Sequence, residues 1–126
     1  MVSVSASDFT AVINDASISV QHAENILDLA IDTLNLYGAA AISNMSGAVG
    51  AKTVTLTSKQ KGGVFHVARM IYYDFYKGVN HVSVTGITVT AAELLSNPAY
   101  VTTIKIVARR LATVKFAVGE DTSGIE

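Results

Sequence analysis

The segment Gly62 to Gly78, GGVFHVARMIYYDFYKG, constrains the fold more than any other part of this chain. It carries five of the nine aromatic residues: Phe65, Tyr72, Tyr73, Phe75 and Tyr76. On a helix, at roughly 100° per residue, Val64, Phe65, Val67, Ala68, Ile71, Tyr72, Phe75 and Tyr76 fall into one arc. That arc covers about half the circumference, wider than the ~100° stripe a surface helix needs. Met70 and Tyr73 lie outside it, among His66, Arg69 and Lys77. The arc itself is ordinary core, whereas Met70 and Tyr73 point to a partner beyond the chain's own interior.

The low charge content points the same way. Charged residues make up 15% and apolar residues 50% of the 126 positions, against a usual charged share of about 25%. A chain of this length forms one domain with an ordinary core. With so little surface that insists on water, it reads as a subunit of an oligomer. The alternative is a monomer whose polar surface is Ser, Thr and Asn. The charges are also unevenly placed. Met1 to Ala51 holds five acids (Asp8, Asp15, Glu24, Asp28, Asp32) and no Lys or Arg, while Lys52 to Glu126 holds nine bases and five acids. An acidic face of one copy meeting a basic face of the next would orient a head-to-tail contact. Equally, both sets can sit on solvated faces of one monomer.

Several element boundaries are written in the residues. Ser7 or Asp8 is a candidate cap for a short helix carrying Phe9, Val12 and Ile13, followed by a turn at Asn14 to Ser17. Ala23, Ile26, Leu27, Ala30, Ile31, Leu34 and Tyr37 predict a helix from Ser19 to Tyr37, with Gly38 as its left-handed cap. Glu24, Asp28 and Asp32 step along one face of it, repelling one another by a few tenths of a kcal/mol per pair. A basic partner would relieve that repulsion, and none is near in sequence. Residues 39–51 are small and read as a loop, and KTVTLT at Lys52 to Thr57 as a short strand.

Thr57 and Gln60 form a T-x-x-Q capping box that opens the aromatic helix, and Gly78 stands where its C-cap belongs. Gly62 and Gly63 mean one of two things: close backbone approach by another element, or a helix that begins nearer Val64. HVSVTGITVT, His81 to Thr90, is the clearest β signal, a bulged strand or a hairpin. Thr90 and Glu93 cap a short helix Ala91 to Leu95. Asn97-Pro98 starts another that runs to about Ala112, with Val101, Ile104, Ala108 and Leu111 inward and Arg109 and Arg110 in its last turn. Val114 to Val118 reads as a terminal strand. The expected fold is mainly α: a small helical bundle over residues 1–116, with a short β ribbon or hairpin and an extended C-terminal arm. Residues 117–126 form a flexible tail.

No chemistry is declared. Without cysteine there are no disulfides, zinc thiolates or thiol nucleophiles. His22, His66 and His81 lack metal-ligand spacing, and the acid ladder lacks the E-x-x-H pairs of di-iron bundles. No catalytic residue, cofactor or metal site is expected, and the chain does not read as an enzyme. The N-terminus MVSVSASDFT has no basic region followed by an apolar run, so no leader is expected, nor is a membrane span. Lys59, Lys61 and Arg69 follow one another without an intervening acid, which keeps a DNA-binding regulatory domain open. The pI of about 6.3 argues against a dedicated reader of DNA sequence.

The order of acidic helix, small-residue loop, aromatic helix, β ribbon, Asn-Pro-led helix and C-terminal arm resembles the head–tail connector (adaptor) proteins of tailed viruses. The residues that carry the resemblance are NILDLAIDTLNLYG, VARMIYYDFYKG and the run from VSVTGITV to ARRLA, about half of the chain. The resemblance implies a structural virion protein, assembled in the host cytoplasm. It would form a ring, commonly of twelve copies, between a portal protein and a tail or stopper protein, with the genome passing through. Asp28, Asp32, Arg69, Met70 and Tyr73 would then lie at the subunit interface, and Lys115, Phe116 and Val118 on the arm would contact the portal. Another neck or tail component, a stopper or a tail terminator, would share the same composition. The 39–57 segment departs from the simplest form of that family.

Overall fold

The structure is a computed structural model, and its described residues are 1–39, 41–78 and 91–112. The chain opens with strand β1 (Val2–Ser5), which runs into helix α1 (Ala6–Ile13). Ser5, and not the expected Ser7 or Asp8, is the cap. The reason is local: Asp8 stands three positions on, and its carboxylate reaches back to accept the Ser5 N–H at 2.8 Å. α1 ends at Asn14, which adopts the left-handed conformation at φ 54°, one that Asn tolerates better than most residues.

α2 (Val20–Leu36) follows, with Ser19 as N-cap accepting the His22 N–H at 3.1 Å. The residues expected to face inward, Ala23, Ile26, Leu27, Ala30, Ile31 and Leu34, are all buried. α2 is the central element: it packs against α1, α3, α4 and α5. Gly38, at φ +89°, turns the chain out of it.

β2 (Thr53–Leu56) pairs antiparallel with β1, Val2 opposite Leu56 and Ser5 opposite Thr53. The described ribbon thus joins the chain's first residues to a strand about fifty positions on. The expected ribbon at His81 to Thr90 lies outside the described residues, as do the Thr90 cap and the C-terminal arm and tail. β1 was not expected, because four residues of Val-Ser alternation announce a strand only once a partner is present.

α3 (Ser58–Ile71) begins at the Thr57–Gln60 capping box, with both reciprocal bonds at 3.0 Å. It does not remain α-helical to Gly78: from Tyr72 to Gly78 the backbone winds as a π-helix. This wider winding accompanies two ring contacts. Tyr72 meets Phe9 edge-on at 6.5 Å, and Phe75 meets Tyr100 at 5.4 Å. α4 (Ala91–Leu95) and α5 (Pro98–Leu111) complete the bundle, with Asn97 capping α5 through the Ala99 N–H at 2.9 Å. Ile104, Val107, Ala108 and Leu111 are buried, whereas Val101, expected inward, is only half-buried. Val107 joins the packed stripe as well, three positions after Ile104 and four before Leu111.

The core is continuous from Phe9 through α2 to α3 and α5. Phe9 is fully buried and packs edge-on against Phe65 at 5.7 Å. Burying one such side chain contributes about 1.5–3 kcal/mol.

Candidate interaction surface

The acid ladder of α2 is occupied by the chain's own loop. Glu24 is 1% exposed, and its two carboxylate oxygens accept the backbone N–H groups of Gly50 and Lys52, each at 2.9 Å. One turn on, Asp28 accepts the Met45 N–H at 2.9 Å and the Asn44 amide at 3.3 Å. Another turn on, Asp32 accepts the same Asn44 amide at 2.9 Å. Near the end of α2, the Asn35 side chain makes two bonds to the Ile42 backbone, at 2.8 and 3.0 Å. The expected relief of the acid repulsion by a cation is therefore replaced by neutral donors. Hydrogen bonds to an ionised carboxylate are stronger than neutral ones, and they help residues 42–52 lie down along the helix. Met45 and Ile42 add two buried side chains.

The tip of this loop stays in water. Val49 is 64% exposed, between Gly47 at φ +119° and Gly50 at φ +92°. Ser46 exchanges both backbone hydrogen bonds with Thr53 at 2.9 Å, and the Ala51 N–H closes the turn on the Ala48 carbonyl at 2.8 Å. The tip is thus a tight, tethered turn with an aliphatic apex.

A groove of about 320 Å³ opens between the start of α3 and the end of α5. Its floor is Gly62, Gly63, Val107 and Leu111, and its rim carries Lys59, His66 and Arg110. Gly63 settles the open question about the glycine pair. α3 begins well before it, and a Cβ at Gly63 would lie 2.6 Å from Leu111 Cδ1 and 3.1 Å from Val107 Cγ1. The glycine is what lets α5 approach. Gly62 faces open space.

Of the residues expected at a subunit boundary, Arg69 and Tyr73 are exposed on α3 and its continuation, and Met70 is half-buried against the core. The Tyr73 ring packs edge-on against Tyr72 at 5.0 Å. Asp28 is half-buried and Asp32 exposed, both on α2. Lys115, Phe116 and Val118 lie outside the described residues. The residues that sequence reasoning missed are Glu24 as the deepest carboxylate, Val49 as an exposed apex, and Lys59, His66 and Arg110 as one rim. Only the Gly62-Gly63 pair signalled the last of these.

Two phenols are held protonated. Tyr72 is buried and donates its hydroxyl to Asp15, and both effects push its pKa up from 10.0. Tyr100 is pushed up in the same direction by burial and by a hydrogen bond to Asp74. Among the described residues, no group of three His, Cys, Asp or Glu is placed to hold a metal ion. None of their helices is long and apolar enough to cross a membrane. No protein-family model matches this chain, and no match emerges among curated proteins or solved structures.

Proposed function

We propose that this chain is a structural subunit that assembles with copies of itself into a ring, at the head–tail junction of a tailed virus, between a portal protein and a tail or stopper protein. The observation that carries the self-assembly is the separation of its surfaces. Asp28 and Asp32 stand on α2 beside the loop, cations gather along α3 and α5, and large apolar side chains stay in water on several elements. Val12, Val20, Leu36, Val49, Tyr73 and Ile106 are each at least 44% exposed. Single exposed apolar residues are normal, but so many on a chain of 15% charge suit a protein whose surface is covered on assembly. The place in a virion rests on the resemblance in element order.

Light scattering of the purified chain, alone and with a portal protein, coupled to electron microscopy, tests this reading. A closed ring, formed alone or on the portal, is the expected result. A monomer in both cases, at high concentration, would overturn it. A ring that binds a tail protein in place of the portal would assign the chain to the stopper or terminator layer. One observation favours a second reading: Lys59, His66 and Arg110 rim a single groove. Duplex DNA binding through it would show as a mobility shift that weakens steeply with salt.

A further inference from the structure

We propose that the Val49 loop tip of one copy seats in the α3–α5 groove of the next copy, so that the ring closes through one repeated plug-and-groove contact. The inference rests on the self-assembly reading and names the surfaces that carry it. The plug is small, aliphatic and preorganised. Gly47, Ala48, Val49, Gly50 and Ala51 are all exposed, while the flanks of the turn are tied to Glu24, Asp28 and Thr53. A turn already held in one shape loses little freedom when it docks. The groove offers a matching floor, two glycines with Val107 and Leu111, at a volume near the lower end of ligand pockets.

The charges match as well. The loop that carries the plug is held to Asp28 and Asp32 through Asn44 and Met45, with Lys52 at its other flank, and the groove is rimmed by Lys59, His66 and Arg110. Within one copy the tip is tied to α2 with Val49 in water, so it does not fill its own groove. The two patches share no residue. Their contact is therefore head-to-tail, the type that generates rings when the rotation closes.

The absence of cysteine makes the test direct. Val49 and His66 are both exposed, so V49C and H66C each leave the fold intact. Under mild oxidation, a mixture of V49C and H66C should form an intermolecular disulfide at least tenfold faster than V49C mixed with L36C. A charge swap gives a second readout. D32R and R110D should each assemble poorly alone, through like charges at the contact, and mixing the two should restore assembly, because both resulting pairings are then complementary. Wild-type rings combined with no preference for the V49C–H66C pair and no rescue on mixing would overturn the contact while leaving the assembly reading standing. A wild-type chain that sediments as a monomer, with or without a portal protein, would overturn both. Shielding of the H66C thiol from alkylation that does not change with protein concentration would mean that the chain's own residues beyond Ala112 fill the groove, and would also overturn the proposal.

Discussion

The Glu24 carboxylate and the Lys52 backbone N–H lie 2.9 Å apart, although 28 positions separate them in the chain. The other oxygen of the same carboxylate holds Gly50 at 2.9 Å. Glu24 therefore acts as a two-pronged acceptor that fixes where the loop ends and β2 begins. Replacing it by Gln leaves one prong and sets an NH2 group against a backbone N–H. Each hydrogen bond to a charged group contributes about 1.5–3 kcal/mol, so Glu24→Gln should cost about 2 kcal/mol and Glu24→Ala about 3 kcal/mol or more in urea unfolding. Hydrogen exchange supplies the local readout. The Gly50 and Lys52 amides should be protected in the wild type and lose that protection in Glu24→Gln before the rest of the molecule does.

Gly62 and Gly63 should respond in opposite directions to the same change. Gly62 faces open space in the interior of α3, so Gly62→Ala should stabilise by about 0.5–1 kcal/mol through helix propensity and a less free unfolded chain. At Gly63 the same methyl group meets Leu111 Cδ1 at 2.6 Å. Leu111 can swing part of the way, but the same methyl group also lies 3.1 Å from Val107 Cγ1. Overpacking of this kind costs typically about 1–3 kcal/mol, enough to cancel the propensity gain, and Gly63→Val should be worse still. Thermal unfolding of the two alanine variants side by side, with Gly62→Ala melting above wild type and Gly63→Ala below it, would establish the close approach of α3 and α5.

The elements that the residues announced are those whose signals are local. The α2 stripe and the Thr57–Gln60 and Asn97–Pro98 starts lie within a few positions of what they specify, and the structure places each where expected. β1 escaped because its partner is about fifty residues away. The role of Glu24 escaped for a different reason. Its donors are backbone amides, which every residue but proline carries, so no side-chain pattern marks them. Tyr73 was legible as an outlier on the aromatic arc because helical geometry alone put it there, and it is exposed at 45%. The groove rim was not legible, since Lys59 and His66 come from α3 and Arg110 from α5, which only tertiary packing brings together.

Asn35 and Ile42 make a tight two-bond ring that starts the loop. The Asn35 side chain both donates to the Ile42 carbonyl and accepts its N–H, and Ile42 is buried at 5% exposed. Asn35→Ala leaves both backbone groups without that partner, and a buried unsatisfied group costs about 1–3 kcal/mol. Asn35→Asp keeps the acceptor but turns a carboxylate oxygen toward the Ile42 carbonyl. Both variants should lose about 2 kcal/mol in denaturant unfolding. If Asn35→Asp matched wild type at neutral pH, the donor half of the ring would carry no weight.

Tyr72 ties the end of α3 to the turn after α1 through Asp15, and that tie has a pH signature. The folded-state pKa of Tyr72 is raised, by burial first and then by the Asp15 hydrogen bond, above the 10.0 of an unfolded tyrosine. The folded chain therefore holds its proton where the unfolded chain releases it. Stability is full below pH 10 and falls as the pH rises beyond it, because there the unfolded state binds fewer protons. Tyr100, raised in the same sense by burial and Asp74, adds to the loss. Tyr72→Phe should cost about 1.5–3 kcal/mol at pH 7, the order of a hydrogen bond to a carboxylate, and should flatten part of the decline above pH 10. Tyr72→Phe combined with Tyr100→Phe should flatten more of it. Unfolding free energies measured from pH 7 to 11 distinguish this from a general alkaline effect: if both variants declined as steeply as wild type, the two phenols would not be the source.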